Sequence, residues 1–297
     1  MKNFLFAFLH AIRLTGLAAW WNRKRVVFLC YHGVTKRPDD SPPDPKALQV
    51  NHRRFAAHLD YLQSHYRVIS LSEYLSANLT QSSLPDYCVV LTFDDGFRNF
   101  LTAAAPLLAE RRMPATVFLI TDRASDDLGN EKSRSWTPED DTRHLSWAEA
   151  LELKLTRQVE FGSHTCSHSG LLTLSQDDIE HELLHSLRDL GAQLSIARPA
   201  LSYPKGQYSE LLAEDARKVG YACAVTTDGA PNEPDHDLFT LGRTLIGDRD
   251  NIASLAVRVS GLRWWLARLR APFADSPAEK LLSAPVSAAT PGIDLLD

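Results

Sequence analysis

An α/β fold on a parallel sheet, open or closed into a barrel, is what the sequence predicts. Three observations carry that reading. Six continuous apolar runs have the composition of strands covered on both sides, helical patterns lie between them, and polar residues collect where the runs end.

The elements follow in order. Residues 1–25 read as an amphipathic N-terminal helix, with Phe4, Leu5, Phe8, Leu9 and Ile12 at helical spacing. His10 and Arg13 interrupt the apolar run, which is too short and broken to span a bilayer. No small-x-small cleavage site follows it, which argues against secretion. Trp20-Trp21 followed by Arg23-Lys24-Arg25 has the pattern of an interfacial anchor. A helix packed on the domain is the competing reading.

The first strand spans 26–31 and hands over to His32; the second spans 88–93 and hands over to Asp94-Asp95-Gly96. Residues 98–112 form a helical pattern with Phe100, Leu101, Ala104, Leu107 and Leu108 on one side. A third strand covers 115–120, and a helix over 146–155 opens with Ser146 and Glu149 at capping-box spacing. The fourth strand, 159–162, precedes His164 and His168. Ser175 and Asp178 open a helix running through Leu190 to a stop at Gly191. Strands at 200–203 and 221–226 flank a helix over 209–219 that ends at Gly220. Residues 39–45 and 124–142 are polar loops, and neither reads as a domain linker because the strand–helix rhythm resumes across both. One domain over 26–270 is expected, then a basic aromatic segment around Trp264 and Trp265, and a loose Pro-, Ala- and Ser-rich tail over 271–297.

The formal charge of −5 argues against nucleic acid as a partner, since phosphate binding needs a basic face. The four cysteines form no CxxC pair and read as small hydrophobes of a reduced compartment. The expected location is cytoplasmic, peripheral to the inner face of the membrane.

In a parallel α/β fold the strand C-termini open on one face, which holds the active site. His32, Asp94-Asp95, His164 with His168, and Tyr203 would therefore share one mouth. One carboxylate and two imidazoles make a three-ligand metal site with an open position, the arrangement of a catalytic site. A second carboxylate beside it can accept a proton as water attacks a carbonyl. Two adjacent Asp residues on a strand point to opposite sides, but a turn starting at Gly96 can bring both to the rim. Cys166 is read as packing, and His181 with His185 as a solvated helix face.

Thr92-Phe93-Asp94-Asp95-Gly96, then His164-Thr165-Cys166-Ser167-His168, then Tyr203-Pro204-Lys205-Gly206, together with the opening Tyr31-His32-Gly33-Val34, resemble the polysaccharide deacetylases of the NodB-homology type, carbohydrate esterase family 4. The resemblance covers most of 26–250. It implies a distorted (β/α) barrel, commonly of seven strands. It implies Asp94 as general base and Asp95, His164 and His168 as ligands of a divalent metal, most often zinc. Cobalt, nickel or iron also suit such a mixed oxygen and nitrogen set. The implied reaction removes the N-acetyl group of an amino sugar and releases acetate. The substrate would be an exopolysaccharide, peptidoglycan or a lipid-linked sugar, and backbone N–H groups near residues 205–208 would stabilise the oxyanion.

The sequence departs from the family pattern in places. Ser202 stands where many members carry the arginine that orients the base, and Arg243 is the candidate replacement. Lys205 stands in place of an aromatic residue. The late Leu-x-His motif that supplies an acid has no counterpart, which makes His32 the candidate acid. Two other readings remain open at this stage: an amidohydrolase for a small non-glycan amide, its pocket walled by 124–142, and a glycan-binding pseudoenzyme.

Overall fold

The computed structural model describes residues 2–11, 13–37, 48–124 and 143–266. The predicted loop over 39–45, the predicted loop over 124–142 from its second residue on, and the tail from 271 lie outside the described residues.

Two helices, α1 (Lys2–Ala11) and α2 (Leu14–Trp21), precede the sheet, divided at Arg13, whose φ is 60°. Then come β1 (Val27–Tyr31), β2 (Gly33–Thr35), β3 (Gln49–Asn51), α3 (His52–His65), β4 (Arg67–Ile69), α4 (Leu71–Leu79) and β5 (Cys88–Phe93). A π-helical turn (Phe100–Ala104) leads into α5 (Ala105–Glu110), followed by β6 (Ala115–Leu119), α6 (Trp147–Leu155), β7 (Val159–Ser163) and α7 (Gln176–Leu194). The chain continues through β8 (Ala200–Ser202), α8 (Glu210–Val219), β9 (Cys223–Val225), β10 (Arg243–Leu245) and α9 (Ile252–Val259).

Seven strands form a parallel sheet in the order β10-β1-β5-β6-β7-β8-β9, with β4 added beside β5. Val225 bridges to Leu241, two residues before β10, so the sheet curls into a nearly closed seven-stranded barrel. The register levels the strand ends. Tyr31 pairs with Phe93, Leu119 with Ser163, and Ser163 with Leu201, so His32, Asp94, His164 and Ser202 leave the barrel at one height.

Strand alternation decides which side chains enter the barrel. Val27, Leu29, Val89, Leu91, Val117 and Leu119 pack outward against α3, α5, α6 and α9. Phe28, Val90, Phe118, Ala200, Cys223 and Val225 point inward, with Tyr74 of α4 packed against them. Cys30, Thr92, Asp94, Ser202 and Arg243 belong to the inward set, and they form a polar layer directly above this apolar filling. Every residue of β1, β5 and β6 is buried, which is why the sequence shows runs and not alternation.

Two predicted helices differ in detail. The 98–112 segment begins as a π turn because Pro106 enters at the start of α5 and brings no N–H to an α ladder. Gly191 does not stop α7, which runs to Leu194 and ends at Ser195 with φ 53°. Leu190 and Leu194 are both in the core, and their burial outweighs the roughly 1 kcal/mol that an interior glycine costs. The other caps are as read: Ser146 and Glu149 close a capping box, and Gly220 ends α8 with φ 114°.

Candidate active site

The site is two sets of groups that share the strand ends. The first surrounds Asp94, which is buried at 3% exposure. Arg243 holds it with both arms of the guanidinium, Nη1 to Oδ1 at 2.6 Å and Nη2 to Oδ2 at 2.7 Å. The same arginine donates to Thr92 Oγ1 at 3.1 Å, Ser202 Oγ at 2.9 Å and the Thr226 carbonyl at 2.9 Å, and its cation lies over the Phe118 ring. Ser202 Oγ donates to Asp94 Oδ2 at 3.2 Å, and the Cys30 thiol approaches the same oxygen at 3.4 Å. Burial by itself would raise the Asp94 carboxyl. The Arg243 guanidinium, helped by His164, outweighs it and holds the carboxyl well below its ordinary range. Burial pushes the Cys30 thiol far up, so it stays protonated and can donate.

The second set is Asp95, His164 and His168. Asp95 Oδ1 lies 3.6 Å from His164 Nε2 and 3.7 Å from His168 Nε2. These separations are too long for hydrogen bonds. They match donors arranged around one small cation, since ligands about 2.1 Å from a tetrahedral ion lie roughly 3.4 Å apart. His164 Nδ1 contacts the Ser202 carbonyl at 2.8 Å. A carbonyl can only accept, so Nδ1 carries a proton and Nε2 is the nitrogen turned toward the site. Burial, aided by His164, pulls the His168 imidazole down to about 4 and leaves it neutral, the ligating form. The donor set fits a divalent metal.

Backbone strain aims these ligands. On a regular strand Asp95 would face outward, but its φ is 68°, followed by Gly96 at 67°. The left-handed turn therefore begins at Asp95 and not at Gly96. A Cβ at Gly96 would come within 2.6 Å of Leu119 Cδ2. Thr165 and His168 also have positive φ, 65° and 66°, so the histidine pair lies on a looped segment and not on a helix. Glu182 of α7 clamps that loop by accepting from the Cys166 and Ser167 amides at 2.9 and 3.0 Å. Cys166 is buried, with its thiol on the Glu182 carbonyl.

Ring nitrogen of His32, Sγ of Cys30 and a carboxylate oxygen of Asp94 lie within 4.8 Å of one another, so one substrate group can bridge His32 and Asp94. Burial lowers the His32 imidazole, and Asp94 and Asp95 act in the opposite direction. The Tyr203 ring does not reach the mouth. It is buried, stacks on Tyr208 and donates its hydroxyl to the Phe239 carbonyl, because position 203 falls on the outward side of the β8 register. In the following turn Pro204 is buried, and the Gly206 and Gln207 amides bond back to Tyr203 and Pro204, which removes both from the oxyanion donors expected there. Lys205, at φ 60°, and Gly206 press this turn against Thr227.

Sequence reasoning missed Cys30, Thr92 and Glu182. Cys30 and Thr92 lie inside runs buried on both faces, where no periodicity marks them, and for Glu182 there was no signal either. His181 and His185 are exposed and stacked on each other on α7. Asp122, Cys166 and Asp189 form another close donor group, but Asp189 accepts from Thr121 and the Cys166 thiol is engaged on Glu182.

Comparison with known proteins bears on this geometry. The profile of the family described as polysaccharide deacetylase matches residues 81–224. That span takes in Asp94, Asp95, His164, His168 and Ser202, and leaves out Cys30, His32 and Arg243. YxkH of Bacillus subtilis is 26% identical over 224 residues, 75% of this chain and 71% of that protein. The poly-β-1,6-N-acetyl-D-glucosamine N-deacetylase of Escherichia coli is 22% identical over 270 residues, 80% of this chain but only 39% of that protein. Its Staphylococcus aureus counterpart is 24% identical over 217 residues, 70% of this chain and 71% of that one. Among solved structures, the Streptococcus pyogenes deacetylase PplD in complex with acetate superposes with a TM-score of 0.67 at 23% identity, covering 80% of this chain and 99% of that one. IcaB from Ammonifex degensii gives 0.65 at 23% identity, covering 80% and 97%. At such identities the structures speak for the fold alone.

Proposed function

We infer that this chain, which belongs to the polysaccharide deacetylase family, removes N-acetyl groups from the amino sugars of a poly- or oligosaccharide with the help of a divalent metal. As a polysaccharide deacetylase it is a hydrolase of non-peptide carbon–nitrogen bonds. A β-1,6-linked N-acetylglucosamine polymer is the substrate class we favour, because the Escherichia coli and Staphylococcus aureus relatives are named for it. The observation that carries the reading is the Asp95–His164–His168 donor set standing beside an arginine-held Asp94.

Asp95, His164 and His168 would hold the metal, with zinc first in order of preference and cobalt, nickel or iron compatible with the donors. Bound there, it supplies Lewis acidity, polarising the acetamide carbonyl and acidifying a water. Asp94 accepts the proton. Its Oδ2 already takes bonds from Arg243, Ser202 and Cys30, so a proton arriving there needs one donor to withdraw. The Ser202 hydroxyl can do so by rotating from donor to acceptor, which an arginine at that position could not. Because Asp94 is held so low, it passes a proton on to His32 downhill. His32, lowered by burial, is in turn a strong enough acid to protonate the leaving amine. The Lys205 and Tyr208 amides are the remaining main-chain candidates for the oxyanion.

A cytoplasmic location is proposed in keeping with four free, buried thiols. The deciding experiment is acetate release from an N-acetylated β-1,6-glucosamine oligosaccharide, measured with zinc, after chelation, and with Asp94→Asn. Turnover that is lost on chelation, restored by metal and abolished in the variant supports the reading. Stoichiometric metal without acetate release from any glycan rejects it in favour of a glycan-binding role.

A further inference from the structure

The helix α2 is built inside out. Its polar residue Thr15 and the capping Asn22 face the fold: both are buried, and Asn22 Nδ2 donates to the Ser260 carbonyl at the end of α9 at 2.8 Å. Its apolar residues face outward. Leu14, Leu17 and Trp21 follow one another at i, i+3 and i+7 and are 37%, 62% and 65% exposed. Trp20, at 51%, extends the same apolar surface, its ring centroid 6.5 Å from that of Trp21. A soluble helix ordinarily buries this stripe, so the surface is shaped for something outside the chain.

Charge selects the occupant. Lys2, Arg13, Arg23, Lys24 and Arg25 all precede the first acidic residue, Asp39, in a chain of formal charge −5. Arg23 lies over the Trp20 ring at 4.8 Å, at the aromatic end of the stripe, and Arg13 precedes Leu14 at its other end; Asp86 pairs with Arg23 and Lys24, and Glu233 with Arg25, so four cations here meet two acids. A second copy packed symmetrically on this face would set these cations against their own equivalents. An anionic bilayer surface meets both features at once, taking Trp and Leu into its interface and the cations at its headgroups.

We propose that the outward face of α2 is a peripheral docking surface for anionic lipid. Among the described residues no helix is long and apolar enough to cross a membrane, so the contact lies in the interface plane. It also fixes an orientation. The Tyr87 amide donates to the Arg23 carbonyl and Val26 pairs with Asn232, which places the end of α2 at the strand-start rim of the barrel, opposite the mouth that holds Asp94. A docked protein turns its site away from the bilayer, toward polymer in the adjoining solution. The docking surface stands independently of the deacetylase reading.

The test is flotation of the full chain with vesicles of phosphatidylcholine alone and of phosphatidylcholine with phosphatidylglycerol, beside the double variant Leu17→Ser/Trp21→Ser. The wild-type chain should float with the anionic vesicles, with a blue-shifted tryptophan emission. The variant should partition about tenfold less while releasing acetate from a soluble oligosaccharide at the wild-type rate. The proposal is overturned if the wild-type chain stays in solution with anionic vesicles, or if the double variant floats equally well. It is equally overturned if the substitutions act only by dissociating a dimer that binds no vesicle.

Discussion

Asp94 and Asp95 are neighbours in sequence, yet they are held in opposite ways. Asp94 continues the strand alternation into the barrel, where it meets a buried, hydrogen-bonded layer of Arg243, Ser202, Thr92 and Cys30. Asp95 leaves the strand through a left-handed residue and joins two histidines, one of them also left-handed, across gaps that no hydrogen bond closes. One half of the site is finished by the protein alone and the other is shaped for an ion. The difference teaches that the pair divides its labour through backbone geometry. The strand supplies a fixed carboxylate, placed as the proposed proton acceptor needs, and local strain aims the other at the two histidines, as the proposed ligand needs.

The largest effect should come from breaking the finished half. Arg243→Met leaves Asp94 buried without its counter-charge, which costs about 3–5 kcal/mol of stability and at least roughly a thousandfold in kcat. Arg243→Lys should rescue stability better than activity, because an ammonium cannot grip both carboxylate oxygens. Chemical denaturation and acetate-release kinetics measure the two effects. If Arg243→Lys turned over like the wild-type chain, two-armed positioning of the base would be excluded.

The unfinished half should respond differently. His168→Ala removes a proposed ligand whose side chain is 27% exposed and belongs to none of the hydrophobic clusters, so the metal-free protein should keep its thermal midpoint. Metal bound per chain after dialysis should fall by at least roughly tenfold, in line with the loss of one of three ligands. Equal metal content in variant and wild type would show that the Asp95–His164–His168 set is not the metal site.

The contrast also explains what the sequence could show. The clustering of Asp95, His164 and His168 was legible because a candidate metal set depends on residue types at short spacing, Asp94-Asp95-Gly96 and His164 to His168. The arginine that holds the base came into view only as a candidate by position, because β10 is three residues long and starts with a buried charge. Cys30 and Thr92 were hidden inside runs that are apolar on both faces, where no periodicity tells inward from outward. Strands β2, β3 and β4, of three residues each, were too short to leave a pattern, and α3 was masked by His58 at a core position between Phe55 and Leu62. The fold class needed only the long runs, and those are the strands that build most of the barrel.

His58 gives a smaller and pH-dependent test of the same layer's support. It is buried on the outer side of β1, with Nε2 on the Asp250 carbonyl at 2.8 Å and Nδ1 at 3.3 Å from the Tyr31 hydroxyl. Burial outweighs the pull of Asp250 and lowers the imidazole from 6.5 to about 4. Between those values the unfolded chain binds the proton and the folded chain does not, so stability is complete above 6.5 and falls as pH drops toward 4. The loss amounts to about 3 kcal/mol. His58→Gln should flatten this acid limb between pH 4 and 6.5 in metal-free protein, as read from denaturant midpoints. An unchanged slope would mean that His58 takes its proton in the folded state.

The mildest change probes the strain itself. Thr165 is β-branched and sits at φ 65°, a conformation such a side chain adopts at a cost of roughly 1–3 kcal/mol. Its Oγ1 accepts from the His168 amide at 3.2 Å, and its carbonyl accepts from the Thr121 amide, so the residue links the two ligand histidines to β6. Thr165→Gly removes the strain and the hydroxyl together. Its gain is offset by the greater freedom of glycine in the unfolded chain, so the metal-free protein should change in stability by under about 1 kcal/mol. Metal affinity should nevertheless weaken severalfold, because the loop loses the bond that sets His168 against His164. Thr165→Asn, whose side chain tolerates the left-handed region and offers an oxygen at nearly the same place, should recover much of that affinity. A series in which stability and metal affinity instead fell in parallel would show that the strained residue braces the fold and does not aim the ligands.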